Sequence, residues 1–106
     1  MSYRFMRVIV FFDLPVETSA ERRAYTKFRK FLIKSGFIMV QNSVYSKLAL
    51  NMTVADSIMR KVREASPGKG IIQMLSVTEK QYSKMEYILG ERQTTVIDTD
   101  ERLVVL

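Results

Sequence analysis

The run Val8-Ile9-Val10-Phe11-Phe12 is apolar, rich in β-branched and aromatic residues, and ends abruptly on a carboxylate, Asp13. Such a run reads as a strand buried on both faces, and an acid at its last position is delivered to the rim of a sheet, where ligands and metals bind. Asp13 is followed by Leu14-Pro15 and then by a basic stretch that holds Arg22, Arg23, Lys27, Arg29, Lys30 and Lys34 against one acid, Glu21. A helix that only has to be soluble interleaves signs to gain side-chain pairs, so this excess of cations points to a polyanion as partner. The chain has no histidine and no cysteine. That removes the commonest general base, the commonest zinc ligand, thiolate metal sites and disulfides. Any metal must therefore be held by oxygen. A plainer role for Asp13, opening the turn at Leu14-Pro15, stands beside metal binding, because an Asp starting a proline-containing turn is ordinary.

Over 106 residues, 17 Lys and Arg against 11 Asp and Glu leave a net charge of +6. The favoured partner is nucleic acid, with an acidic membrane surface as the weaker alternative. At this length the expectation is one domain spanning residues 1–106, burying somewhat over ~60% of its unfolded surface. The first apolar run is cut off at Asp13, too short for a membrane span and without the uninterrupted core of a secretory signal, so a cytoplasmic protein with no membrane partner is expected. Glycine and proline are few, and no repeat or linker composition is seen.

The elements that must position these residues can be read from capping and periodicity. Thr18-x-x-Glu21 has capping-box spacing and starts a helix over about residues 19–35. On it Ala20, Ala24, Phe28, Phe31 and Leu32 fall on one side with Tyr25 flanking, while Arg23, Lys27, Lys30 and Lys34 form a stripe along one edge and Arg22 and Arg29 lie beyond the other. Gly36 sits where a helix ends in the left-handed conformation, and Lys34 suits the negative end of the helix dipole. Strand character returns over 37–40, breaks at Gln41-Asn42, and resumes over 43–50 with Val44, Ser46, Leu48 and Leu50 on one face. Thr53-x-x-Asp56 is a second capping-box-like start, for a helix with Ala55, Ile58, Met59 and Val62 inward and Arg60, Lys61 and Arg63 outward, ended by Pro67-Gly68-Lys69-Gly70. Residues 71–77 read as a strand, a short helix begins near Glu79, and residues 102–106 are again strand-like. This order is the α+β, ferredoxin-like βαββαβ sandwich, a sheet covered on one side by two helices, with an extra C-terminal strand. An apolar strand at the end of a small domain seeks a sheet edge, so the tail, about 91–106, is expected to pair at its own edge or that of a second subunit, in a homodimer.

Three segments carry a resemblance: Phe12-Asp13-Leu14-Pro15, the helix Arg22-Arg23-x-x-x-Lys27-Phe28-Arg29-Lys30-Phe31-Leu32, and Gly36-Phe37-x-x-x-Gln41-x-Ser43-Val44-Tyr45. In order and spacing they resemble the Cas-two family, the second of the two universal CRISPR adaptation proteins. The resemblance implies a small ferredoxin-like protein that dimerises, described in many relatives as a metal-dependent endonuclease on RNA or DNA. It also implies the core of a complex with the CRISPR integrase subunit, which inserts short foreign DNA into a CRISPR array. Carried over by position, Asp13 is the metal-binding and catalytic acid. The basic residues of the first helix, with Arg60, Lys61 and Arg63 as further candidates, are the implied contacts to double-stranded DNA.

A phosphodiesterase without histidine relies on a divalent ion to activate water and neutralise phosphate, and Mg²⁺ needs oxygen ligands while keeping several waters. One aspartate is a poor site. Two-fold symmetry that brings together the Asp13 of both subunits would create one, since two such carboxylates repel unless an ion or a proton lies between them. Contacts of the basic helix should be to phosphate rather than to bases. Tyr3, Phe5, Phe11, Phe12, Tyr45 and the seven methionines read as core rather than as a stacking platform. Ser43 and Ser46 have no histidine to activate them, and residues 94–101 lack the glycine and spacing of a calcium loop. Two other functions fit the topology. An RNA-binding module stacks bases on aromatics of its central strands, and residues 71–77 hold none; a ligand-sensing regulatory domain has no need of so basic a helix.

Overall fold

The computed structural model describes residues 4–91 of the chain. The expected C-terminal strand at 102–106, most of the tail expected to pair at the dimer edge, and residues 94–101 lie outside the described residues. Strand β1 (Met6–Asp13) leads through the Leu14-Pro15 turn to helix α1 (Ser19–Lys34), strands β2 (Ile38–Gln41) and β3 (Val44–Ala49), helix α2 (Met52–Glu64), strand β4 (Ile71–Thr78) and the short helix α3 (Glu79–Ser83). The sheet is antiparallel in the order β2-β3-β1-β4, which is consistent with the ferredoxin-like arrangement expected from the element order.

Local chemistry sets the element ends. The Thr18 hydroxyl accepts from the Glu21 amide while the Glu21 carboxylate accepts from the Thr18 amide, the expected capping box. Ser35 closes α1, and Gly36 takes a φ of +95°, where a side chain would be strained. The second helix start differs from expectation. Asn51, not the Thr53–Asp56 pair, caps α2, its side-chain oxygen accepting from the Val54 amide at 2.9 Å. An asparagine at that position is as good a cap as threonine and satisfies the same orphan donor two residues earlier. A tight turn through Asn42 and Ser43, the latter with a φ of +68°, joins β2 to β3 where the sequence shows its polar break.

The core lies between the sheet and the two long helices. Val8, Val10 and Phe12 point from β1 onto Phe28 and Leu32 of α1 and Ala55 and Val62 of α2, with Tyr45 and Ala49 of β3 beside them. The Phe12 ring meets Phe28 edge-on at 5.3 Å and stacks on Tyr45 at 5.7 Å, and truncating such a ring to alanine typically costs about 3–5 kcal/mol. Ala20, expected on the buried side of α1, is exposed and borders an open cavity beside Leu14, Pro15 and Pro67 rather than the core.

The opposite face of the sheet is covered over the middle of β1, where Ile9 is buried and Phe11 half-buried, as expected of a strand buried on both sides, and is open on the flanking strands. Arg7, Ile9, Phe11 and Asp13 alternate onto this face. There α3 returns: Arg7 pairs with Glu79, its Nε donating at 2.8 Å, and its guanidinium lies 4.4 Å from the Tyr82 ring. The Glu79 hydrogen bond, aided by the carboxylate charge, raises the Arg7 pKa above its ordinary value. The Tyr82 hydroxyl reaches Ser46 Oγ at 3.2 Å. Beyond α3 the face stays open, with Ile38 at 41%, Leu48 at 47%, Leu75 at 43% and Ile71 at 58% exposure.

Candidate nucleic-acid interface and acidic rim

Asp13 is the last residue of β1, exposed, and paired in the ladder with Ile71, the first residue of β4. Its place in the alternation puts its carboxylate on the open face, away from α1 and α2. The next residue, Leu14, turns back into the core, so the strand end is anchored from behind while the acid stands at the rim. Among the described residues no three carboxylate or other ligating side chains come together. Among the described residues Asp13 is thus not part of a cluster of three ligands, and its own contribution is one carboxylate. That fits a hydrated Mg²⁺ poorly by itself and fits it well when a second carboxylate is supplied.

The cations of α1 gather on its solvent side. Arg22, Arg23, Lys27, Lys30 and Lys34 line one open concavity together with Ser19, Thr26 and Phe31. Residues three and four apart share a helix face, so these positions form one continuous basic surface about as long as the helix. The structure regroups the expected set in two respects. Arg22 joins the stripe, although its guanidinium also donates to the Val16 and Glu17 carbonyls at the helix start. Arg29 stands apart: its Nε donates to the Tyr45 hydroxyl at 2.9 Å, over the edge of the core. Of the further candidates, Arg60 and Arg63 are exposed on α2, and Lys61 borders a small cavity between the helices beside Phe31, Ser35 and Lys47.

Sequence reasoning counted charges and so passed over Ser19 and Thr26, whose hydroxyls lie among the cations. Their spacing of three and four residues from Arg22, Arg23 and Lys30 was the available signal. It also missed the Arg7–Glu79 pair, which no local pattern announces because 72 residues separate its members.

Compared with known proteins, residues 6–85 match the family model described as CRISPR associated protein Cas2. The chain belongs to the Cas2 family. The match spans every element from β1 to α3, including Asp13 and all the cations of α1. Cas2 relatives are similar over nearly the whole chain. A protein of Treponema denticola named CRISPR-associated endoribonuclease Cas2 is 61% identical over 95% of this chain and 100% of its own length. Proteins of the same name from Streptococcus mutans and Ligilactobacillus salivarius are 52% and 46% identical, each over 95% of this chain, covering 93% and 100% of their own lengths. Among the described residues of this Cas2 chain, no helix is long and apolar enough to cross a membrane.

Proposed function

We propose that two copies of this Cas2 chain form a homodimer that binds double-stranded DNA and serves, with the CRISPR integrase subunit, as the core of the spacer-integration complex in the cytoplasm. In the same reading the paired Asp13 residues hold Mg²⁺ for phosphodiester hydrolysis. The observation that carries the DNA-binding reading is the concavity in which five cations of one helix face solvent together. Two copies double that surface, which suits a duplex whose phosphates run along both flanks, and lysine and arginine there neutralise phosphate without reading bases.

Dimerisation is supported by the open apolar face that carries Ile38, Leu48, Ile71 and Leu75. A second copy covering this face removes apolar area from water and approaches the rim on which Asp13 stands. Bound there, Mg²⁺ would supply an activated water and neutralise phosphate charge. The chain's own contribution is to hold the two carboxylates at the ends of a rigid ladder, where their mutual repulsion favours a cation between them. The name endoribonuclease borne by the relatives makes RNA the first substrate to assay, with DNA beside it. The tail, about 91–106, is assigned to the dimer edge because its apolar end, Leu103-Val104-Val105-Leu106, would pair with a sheet edge.

The test is a cleavage assay on RNA and DNA with and without Mg²⁺, run on the wild type and on Asp13→Ala. Metal-dependent cleavage that disappears in the variant, with dimer and duplex binding retained, supports the reading. Unchanged cleavage in Asp13→Ala removes the carboxylate from any catalytic role, and a monomer at working concentration removes the shared site altogether.

A further inference from the structure

We propose that Gly70 is a positioning residue for the Asp13 carboxylate, an inference that rests on the reading of Asp13 as the metal-holding acid. Gly70 immediately precedes β4, whose first residue pairs with Asp13, and its φ is +102°, a conformation that side chains rarely adopt. A β-carbon built there would lie 2.7 Å from Leu14 Cδ2, 2.9 Å from the Asp13 carbonyl oxygen and 3.1 Å from Leu14 Cα. The first of these atoms is the tip of a side chain. The other two belong to the backbone that carries the carboxylate.

Ordinary contact begins at 3.4 Å, so relieving the 2.9 Å approach forces residue 70 and the Asp13 backbone apart by about 0.5 Å at the point where β4 starts beside the end of β1. Leu14 is packed in the core and Pro15 fixes its own φ, so the segment has little room to retreat behind Asp13. The displacement is therefore passed to the rim. Half an ångström is about the tolerance within which a constellation of ligands must be held. Gly68, two residues earlier in the same loop, is the contrast: a β-carbon there meets nothing within 4 Å. The bare α-carbon at position 70 is what allows β4 to start alongside the last residue of β1, and this fixes how far the acid projects over the open face.

The experiment measures Mn²⁺ binding to the full chain by loss of the free-ion paramagnetic resonance signal. It compares the wild type with Asp13→Ala, Gly70→Ala, Gly70→Asn and Gly68→Ala, and monitors fold and dimer by circular dichroism and light scattering. Asparagine tolerates a positive φ better than alanine and yet carries the same β-carbon, so it separates backbone strain from the contact with Asp13. The expected result is binding weakened at least about tenfold in both Gly70 variants, abolished in Asp13→Ala and unchanged in Gly68→Ala, with fold and dimer retained. Wild-type affinity in the Gly70 variants while Asp13→Ala binds nothing overturns the inference and leaves the metal site standing. Wild-type affinity in Asp13→Ala, or no binding by the wild type, overturns the metal reading and this inference with it. Loss of fold or dimer in both Gly70 variants also overturns it, because the glycine then serves the fold as a whole rather than the placement of one carboxylate.

Discussion

Replacing Lys27 and Lys30 together with glutamine tests the basic helix most directly. The two side chains sit in the middle of the five that line the concavity of α1, and both are exposed, so their loss leaves the core untouched. Affinity for a duplex falls with salt as a power law whose exponent is about 0.9 for each phosphate neutralised. With all five cations of both copies engaged, the wild-type exponent is about 9, and raising salt from about 50 mM to about 200 mM weakens binding by about five orders of magnitude. The double variant keeps three cations per copy. Its exponent falls to about 5, and the same salt step weakens binding by only about three orders. Fluorescence anisotropy of a labelled duplex at four or more salt concentrations gives both slopes, and a second duplex of scrambled sequence should give the same pair. Arg29→Gln is the internal control: its guanidinium is turned to the Tyr45 hydroxyl outside the concavity, so it should keep the wild-type slope. Equal slopes in wild type and double variant, or a drop in Arg29→Gln as large as in the double variant, would show that the helix does not bind the polyanion along this surface.

Tyr45→Phe removes the acceptor of the Arg29 hydrogen bond from a side chain that is otherwise buried; it should cost about 1 kcal/mol and lower the thermal midpoint by several degrees, read by circular dichroism. The Glu21 carboxyl is held below its usual pKa, first by the Thr18 amide and then by Lys69 and the Glu17 amide. A depressed folded pKa contributes stability that is fully present above the ordinary carboxylate range and lost as pH falls through the lower folded value. The gap in melting temperature between wild type and Glu21→Gln should therefore be widest at neutral pH and close in acid; a gap that stays constant with pH would contradict the capping geometry. Leu75→Lys places a charge on the open sheet face beside Ile9, and light scattering should then find a folded monomer with duplex affinity reduced, since half of the cationic surface is gone.

Much of the fold was legible because its signals are local. The capping box at Thr18 and Glu21 and the left-handed Gly36 involve residues within a few positions of one another and appear where spacing placed them, and the break read at Gln41-Asn42 appears one residue later, as a turn through Asn42 and Ser43. The start of α2 was misplaced because Asn51 and Thr53 are both good caps, and choosing between them depends on where β3 releases the chain. For the candidate site, the sequence supplied Asp13 at a strand end and a one-sided basic helix. It could not supply the regrouping of Arg22 with Lys30, or the turning away of Arg29, because both depend on what the neighbouring strand and turn offer those guanidiniums. Nor could it say that α3 folds back over Arg7 and leaves Leu48, Ile71 and Leu75 open, since the contact of Arg7 with Glu79 and Tyr82 spans nearly the whole described chain.

In the proposed reading the sheet itself separates duplex binding from metal chemistry. Val8, Val10 and Phe12 face α1 and α2, and Asp13 follows in strict alternation on the other side. The α1 concavity looks away from the sheet on the helical side, so a duplex lying along it has four strands between its phosphates and the open face that carries the acid. A strand to be cleaved must approach over the rim, by a route that the bound duplex does not take. Binding and cleavage should accordingly be separable by mutation. The Lys27→Gln, Lys30→Gln double variant should bind Mn²⁺ as the wild type does, and Asp13→Ala should keep the wild-type salt slope for duplex binding. If either variant instead loses both properties together while its fold and dimer persist, then duplex and metal share one surface. In that case the dimer must bring α1 of one copy over the rim of the other, an arrangement in which the held DNA is itself the strand presented to Asp13.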